Sequence, residues 1–438
     1  MGEESTPATT APPTFKPTTF SPELLEEQIK LLMMNLAYDE KAAQSVASEM
    51  VGWSDKEGNP FLGTRKGELI DTKERYKEGE ITIDGLTEAE VRIARELSWK
   101  IKEEIPEYRV ENWHLDDAIK DKGANCVGYT QLLYVLGKTV GLSVEPIEVL
   151  GASDIKEGHV TGLIGLSDER KVMVELTSTP AFTTQAFKLE EEYKTMGNYL
   201  ELLDDDSMIP HTRIRRLDKD GLMASVFISR GKNYDSSGEY LRTIAEINVA
   251  VELDPKYALA YNNRGVAYHR LGYLYDALAD LDVAIELDPE FAEAYSNRGV
   301  IRVASGNYTS AISDYDKAIE LDPGYAKAYY RRGDTYNYLE DYDSAMSDYN
   351  KAIELNPELA EAYGNRGTVY SALGEHSKAM SDYTSAIELN PNSSVTYYNR
   401  GNAHYNLKEY SKAISDYTSA RVEPGTRRGI QQQGECLQ

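Results

Sequence analysis

The sequence predicts two different folds in one chain: an α+β domain in the N-terminal half and an all-α superhelical solenoid in the C-terminal half. Three observations support this division. The C-terminal half repeats the same pattern every 34 residues. The N-terminal half contains a helical run followed by three runs that read as strands, the last of which alternates. The first twenty residues are rich in Thr and Pro, a composition that cannot form a packed core.

The composition narrows the classes of function. The chain has 438 residues, with 47 Lys and Arg against 73 Asp and Glu, and a formal net charge of −26. This acidity argues against electrostatic binding to nucleic acids or anionic membranes. No run of eighteen apolar residues occurs, so we expect no membrane-spanning helix. Because no signal peptide is recognisable, we expect a cytoplasmic location.

The two cysteines, Cys126 and Cys436, are too few for a disulfide framework or a Cys-rich zinc site. We expect neither a metal nor an organic cofactor. Tyrosine is the unusual residue, with 32 copies against 7 Phe and 3 Trp. Such usage is typical of a repeated motif.

The repeat is marked by Arg-Gly, which recurs every 34 residues together with a Pro and an Ala. The arginines of these pairs are Arg230, Arg264, Arg298, Arg332, Arg366 and Arg400. Six copies without an insertion predict six repeats over residues 221–421. We expect an irregular tail at 422–438, because the register is lost after Ala420.

Each copy is predicted to form two helices. In the copy around Arg264, Gly265 lets a neighbouring helix approach closely, while Ala277 and Leu281 face inward on the second helix. Pro289 then ends that helix. The period and the small residues resemble the tetratricopeptide repeat, whose stacked helix pairs form a solenoid with an inner groove. This resemblance implies a protein or peptide partner in the groove.

Four groove positions are candidate peptide-binding residues: Asn263, Asn297, Lys327 and Arg331. Asn297, Lys327 and Arg331 match part of the clamp with which some tetratricopeptide repeats hold a carboxylate. Amide and guanidinium donors suit such a ligand. The first part of the clamp is absent, because Asn262 and Val266 stand in its place. The alternative is that these Asn residues bridge neighbouring helices.

The N-terminal half, residues 21–220, is predicted to be one domain with a core at about 105–180. Ser21-Pro22 predicts a helix start. Thr87 to Glu90 fits a capping box that begins a second helix. The sequence from Gly52 to Gly85 is polar and loop-like, and 187–203 is predicted to be helical.

The segment after Gly123 carries the candidate chemistry. Cys126 is predicted to lie in the first turn of a helix, where the helix dipole stabilises a thiolate. Three strands follow, at 141–150, 158–166 and 171–177, and they carry His159 and Glu175. A leading Cys followed by a His and an acid on strands is an order that can build a thiol–imidazole site.

This stretch resembles the transglutaminase-like superfamily. The resemblance implies Cys126 as nucleophile, His159 as base and Glu175 as the orienting acid. The family usually has Asp at the third place and an aromatic residue where Thr161 stands here. If a three-residue loop joins the last two strands, His159 and Glu175 share a sheet face; a two- or four-residue loop would separate them. The alternative is that Cys126 is a buried structural residue.

Two main functions therefore remain open, beside a third, a chaperone adaptor, that depends on Asn297, Lys327 and Arg331. The first is a thiol acyl-transfer enzyme, of peptidase or transglutaminase type, that acts on polypeptide amides recruited by the repeats. The second is a non-catalytic interaction scaffold with an inactive transglutaminase-like domain. The surroundings of Cys126 distinguish them, because only the enzyme needs a reactive thiolate. A Cys126 sulfur that is open to a cleft and within hydrogen-bond reach of a His159 nitrogen favours the enzyme, and a buried Cys126 far from His159 favours the scaffold.

Overall fold

The computed structural model describes most of both halves of the chain. They form two compact units, one within residues 1–257 and the other within 258–438. The residues described are 21–36, 38–108, 123–124, 126–150, 159–175, 182–183, 188–189, 193–196, 199–202 and 213–420. The predicted segment 1–20 and the tail from 421 onward lie outside these residues.

The first unit begins with helices that surround one central helix. Ser21 caps the first of them as predicted, since its Oγ accepts a hydrogen bond from Leu24 N at 3.3 Å. The helices are α1 Pro22–Asn35, α2 Glu40–Val51, α3 Phe61–Lys77, α4 Ile83–Glu104 and the central α5 Cys126–Val140. Helices α1, α3 and α4 all contact α5.

Two predictions for this region are wrong. Helix α4 begins at Ile83 rather than at Thr87, because Thr82 caps it by accepting a hydrogen bond from Gly85 N at 3.3 Å. Glu90 is therefore inside the helix, where it accepts hydrogen bonds from the backbone and hydroxyl of Ser167, both at 2.7 Å. Helix α3 also occupies a stretch predicted to be a loop. The prediction failed because only a narrow side of this helix is apolar and the rest of its residues are mostly polar or charged.

The sheet lies beside α5, and the three predicted strands are present in it. The strands of this sheet are β3 Ser143–Leu150, β4 His159–Gly165, β5 Lys171–Glu175, β6 Phe182–Thr183, β7 Tyr193–Met196, β8 Tyr199–Leu202 and β9 Arg213–Arg216; β1 Glu107–Tyr108 and β2 Gly123–Ala124 form a separate parallel pair. The seven strands of the sheet are antiparallel and lie in the order β6-β5-β4-β3-β9-β8-β7.

The predicted helix at 187–203 is wrong, because β7 and β8 pair there as antiparallel strands. Gly197 and Asn198 separate two short runs that contain Tyr, Thr and Leu. That pattern is a hairpin signal, and it outweighs the weak helical spacing.

Both faces of the sheet are apolar. Helix α5 covers one face so closely that a Cβ on Gly162 would lie 2.5 Å from Leu133 Cδ2. The other face forms a separate cluster that includes Leu163, Met173 and Ile214, packed against Tyr193. Two packed faces explain why these strands contain near-continuous apolar runs.

Helix pairs follow the sheet. The first pair, α6 Lys219–Ser236 and α7 Tyr240–Leu253, belongs to the first compact unit. Five pairs then form an array in the second unit. They are α8 Ala258–Arg270, α9 Leu274–Leu287, α10 Ala292–Ala304, α11 Tyr308–Leu321, α12 Ala326–Tyr338, α13 Tyr342–Leu355, α14 Ala360–Ala372, α15 His376–Leu389, α16 Ser394–Asn406 and α17 Tyr410–Ala420.

We call the first helix of each array pair an A helix and the second a B helix. Each A helix contacts its own B helix and the next A helix along the chain. The close approach expected at the repeated Gly is present: a Cβ on Gly367 would lie 2.9 Å from Tyr383 Cε1. The tyrosine ring thus packs on the glycine of its own repeat and, in the same cluster, on Ala403 of the next.

The repeated arginine forms what we call the arginine ladder. In the five repeats of the array, each arginine binds an Asp sixteen residues later, through Nε and Nη2, at 2.7 to 3.1 Å; in the first pair, Arg230 binds Glu246 instead. The pairs are Arg264–Asp280, Arg298–Asp314, Arg332–Asp348, Arg366–Asp382 and Arg400–Asp416. From Arg298 onward, Nη1 reaches back to the preceding B helix, so the ladder also ties neighbouring repeats together.

Candidate functional site

The structure places Cys126 at the first position of α5, where it is half-buried. The hydroxyl of Thr130, one turn later, lies 2.7 Å from the carbonyl oxygen of Cys126 and 2.9 Å from that of Val160. The first turn of α5 is thereby fixed beside the start of β4, the strand that His159 begins.

The loop between β4 and β5 has the length that the candidate triad requires. Leu166 N donates to Arg170 O at 2.9 Å, which leaves a loop of the three residues from Ser167 to Glu169. Glu169 has φ of 71°, a left-handed conformation common in three-residue hairpin loops. The pairing of Gly162 with Val174 then groups positions 159 and 175 on one side of the sheet.

Two side chains of the candidate triad, those of His159 and Glu175, lie outside the part of the chain that the structure describes. The strand backbones at His159 and Glu175 are described, but their side chains are not. Helix α5 packs against Val160 and Gly162. Because successive strand residues alternate between the faces of a sheet, position 159 belongs to the face opposite α5. A contact between Cys126 and His159 stays a prediction.

The predicted peptide-binding residues lie on the A helices of the array. Asn297 Nδ2 donates to Asn262 Oδ1 at 3.0 Å, and Arg331 Nη1 donates to Ser296 Oγ at 2.9 Å and Asn297 Oδ1 at 3.1 Å. These bonds join α8, α10 and α12. Asn297 therefore bridges neighbouring helices, as the alternative interpretation of the Asn residues expected. Arg331 also bridges neighbouring helices.

Lys327 and Asn263 differ from that pair. Lys327 is exposed, one turn before Arg331 on α12, and forms no salt bridge with any residue that the structure describes. Asn263 is half-buried and accepts a long hydrogen bond of 3.4 Å from Asn262 Nδ2. Lys327 is thus the candidate whose charge is available to a partner.

The bridging bonds continue along the later A helices. Asn365 Nδ2 donates to Asp334 Oδ1 at 2.6 Å, and Asn399 Nδ2 lies 3.4 Å from Thr368 Oγ1. We call the whole set the polar ladder: Asn262, Ser296, Asn297, Arg331, Asp334, Asn365, Thr368 and Asn399. It runs across every A helix from α8 to α16.

The polar ladder carries charges of both signs. Burial lowers the pKa of His269, and the nearby Arg270 and Arg331 lower it further. Burial raises the pKa of Asp334, although hydrogen bonds from Tyr349 and Asn365 oppose that rise. The positive charge of this surface therefore comes from Arg270 at the end of α8 and Arg331 on α12, and the acid Asp334 lies about one turn after Arg331.

Asp334 was missed at the sequence level. It occupies the place after the repeated Gly, where the other copies of the array have Val, Thr or Asn and the first copy has Lys232. The Asp partners of the arginine ladder were missed as well, although their spacing from each Arg is constant. In both cases, comparing the repeats position by position would have found them.

Two negative findings apply to the described part of the chain. No three His, Cys, Asp or Glu side chains there converge as they would around a metal ion. No helix among those residues is long and apolar enough to cross a membrane.

Comparison with protein families identifies the repeats. Tetratricopeptide repeat models match residues 258–291, 326–359, 360–393 and 383–415, and a TPR repeat model matches 299–339. Residues 258–415 therefore contain tetratricopeptide repeats. A transglutaminase-like domain is detected neither by these models nor among the similar structures. No curated protein sequence matches the chain.

Several solved structures are similar to the repeat region. YrrB, described as a TPR protein with an unusual peptide-binding site, is 25% identical, covering 43% of this chain and 97% of its own, with a TM-score of 0.35. A tetratricopeptide repeat protein from Parabacteroides merdae is 22% identical, covering 50% and 85%, with a TM-score of 0.41. A TPR protein from Thermus thermophilus is 20% identical, covering 41% and 98%, with a TM-score of 0.37.

Proposed function

We propose that this chain is a protein-interaction scaffold whose tetratricopeptide repeats hold a peptide segment of a partner protein. The observation that carries the proposal is the family match of residues 258–415. Stacked repeats of this kind use an extended surface for binding. The A helices supply such a surface here, because each one contacts the next.

The chemistry of the surface suits a peptide. Arg331 is fixed by its hydrogen bonds to Ser296 and Asn297, so its remaining donors are held in place at little entropic cost. Lys327 adds an exposed positive charge one turn away. We propose that Asn263, Lys327 and Arg331 bind backbone carbonyls or a carboxylate of the partner, and that Asn297 takes part by holding Arg331 in position.

Lys327→Ala tests this proposal, because it removes a surface charge without breaking the polar ladder. Peptides would be selected from a displayed random dodecapeptide library on the full chain, and their Kd values measured by fluorescence anisotropy. We expect Lys327→Ala to raise Kd by about tenfold, which is the loss of one charge-assisted contact of about 1.4 kcal/mol.

Lys351→Ala is the matched control. Lys351 is in the same repeat but on the B helix α13, where its Nζ lies 2.8 Å from Glu354. This variant should bind the selected peptides like the wild type. Failure to enrich any peptide, or an equal effect of the two substitutions, would count against the scaffold proposal.

A second candidate function is thiol acyl transfer: the three-residue loop groups positions 159 and 175, but on the sheet face opposite α5, so His159 would have to reach Cys126 past the start of β4. In this proposal His159 takes the thiol proton and Glu175 orients the imidazole. Cys126 then attacks an amide carbonyl, the amine leaves with the proton from His159, and water or another amine resolves the thioester. Backbone N–H groups at the start of α5 would stabilise the oxyanion.

The pKa of the Cys126 thiol tests this second candidate. It would be measured from the pH dependence of alkylation, with Cys436→Ser in every sample. The enzyme proposal predicts a pKa well below the ordinary value of about 8.5 that rises in His159→Ala. A thiol that reacts identically with and without His159 leaves the scaffold as the only function.

A further inference from the structure

The carboxylate of Asp334 is held by neutral groups. Tyr349 Oη donates to Asp334 Oδ1 at 2.7 Å and Asn365 Nδ2 donates to the same oxygen at 2.6 Å. Asn365 Nδ2 also lies 3.3 Å from the hydroxyl of Tyr330. Asp334 is half-buried among these groups, on the line of A helices where we place the partner.

No described cation forms a salt bridge with Asp334, and Arg331 attracts its carboxylate only from a distance. Arg331 is the nearest basic residue along α12, but its Nη1 is directed to Ser296 and Asn297. Asp334 forms no salt bridge with any other residue in the described part of the chain. A partly buried carboxylate without a counter-ion costs free energy, because it loses water without gaining an opposite charge.

The neighbouring repeats show that the fold does not need this charge. In the next repeat, Thr368 receives the same two contacts, from Tyr383 Oη and Asn399 Nδ2, both at 3.4 Å. In the repeat after that, Asn402 Oδ1 accepts the hydrogen bond of Tyr417 Oη at 2.8 Å. A neutral acceptor therefore fulfils the structural role wherever these contacts recur.

We infer that Asp334 is a specificity-determining residue that binds a cationic side chain, lysine or arginine, of the partner. This inference rests on the proposed function, since it names the chemistry that the repeat surface selects. The partner's cation supplies the missing counter-ion, while the aromatic rings of Tyr330 and Tyr349 limit its exposure to water. Charge complementarity then fixes the register of the peptide along the A helices.

The stability arm of the test uses Asp334→Asn, which keeps an acceptor oxygen as Asn402 does. We expect the variant to have a higher Tm than the wild type at neutral pH, because a charge without a partner is removed. Burial raises the pKa of Asp334, so its carboxyl group is protonated more readily in the folded than in the unfolded chain. The gain in Tm should therefore shrink as the pH falls through that pKa.

The binding arm uses the displayed dodecapeptide library on the full chain. We expect one position of the recovered peptides to be enriched in Lys or Arg. Replacing that residue with acetyl-lysine or citrulline should raise Kd about tenfold for the wild type and leave it unchanged for Asp334→Asn. The double variant Asp334→Asn/Asn402→Asp keeps the net charge and should also lose the preference.

The outcomes separate the two proposals. If peptides are recovered but the wild type and Asp334→Asn discriminate charged from neutral probes equally, the inference is wrong and the scaffold stands. A lower Tm for Asp334→Asn would also overturn the inference, since the carboxylate would then be structural. If no peptide is recovered at all, the proposed function fails first.

Discussion

Arg215→Ala is expected to lower the free energy of unfolding of the first unit by about 3–5 kcal/mol, because it removes the cation that pairs with two carboxylates. Arg215 is 5% exposed. Its Nε donates to Glu148 Oε2 at 3.0 Å and its Nη1 to Asp254 Oδ2 at 2.7 Å. Its guanidinium also stacks 3.8 Å from the centre of the Tyr257 ring.

The electrostatics of this cluster explain the size of the effect. Burial alone would lower the pKa of Arg215, but Glu148 and Asp254 outweigh it and raise the pKa. Without the arginine, Glu148, which is 1% exposed, would have no paired cation and would keep only the weaker attraction of Lys232. The cluster joins β3 and β9 to the chain just after α7, so the first helix pair should lose its attachment to the sheet.

Arg216→Ala is the matched control for this prediction. Arg216 is the next residue, its side chain is 53% exposed, and it pairs with Glu145 at 2.5 Å. An exposed pair of this kind contributes less than about 1 kcal/mol. Urea unfolding should therefore separate the two adjacent arginines clearly. Equal losses would mean that the buried network does not stabilise the unit.

Arg332→Ala is expected to destabilise the middle of the array by about 3 kcal/mol. Arg332 donates to Asp348 at 2.7 and 2.8 Å and reaches back to Asp316 at 2.6 Å. Its removal leaves Asp348, which is 5% exposed, without a cation. The hydrogen bonds to Asp348 and Asp316 raise the pKa of Arg332, so the guanidinium keeps its charge in alkaline solution.

Arg366→Ala provides the comparison within the chain. Arg366 binds Asp382 in the same way, but its Nη1 partner on the preceding B helix is the neutral Asn350. Because Asp316 is largely exposed, the charge difference should account for no more than about 1 kcal/mol. Hydrogen exchange of the two B helices would report the loss. A change below about 1 kcal/mol in both variants would show that the arginine ladder does not stabilise the array.

Local patterns predicted much of the fold. The helices of the array follow from the repeated Gly, Ala and Pro, because each acts within its own helix or at its end. The strands around His159 follow from short apolar runs bounded by turn residues, of which the run from Lys171 to Thr177 alternates. Helix α3 was missed because only a narrow side of it is apolar, and the β7–β8 hairpin because short strands carry little periodic signal.

The candidate sites were predictable only in part. Asn297 and Lys327 could be named from their repeat positions, but the bond that holds Asn297 to Asn262 spans 35 residues. Such pairs depend on how the helices stack, which no local pattern specifies. Asp334 becomes informative only when its neutral counterparts Thr368 and Asn402 are seen to accept the same bonds.

The central claim, that the A-helix surface of the tetratricopeptide repeats holds a partner peptide, is tested most directly by one pair of Kd values. These are the affinities of a selected peptide for the wild-type chain and for Lys327→Ala, with Lys351→Ala as control. We predict that the Kd rises about tenfold for Lys327→Ala and stays at the wild-type value for the control. A Kd that is the same for all three proteins would contradict the claim.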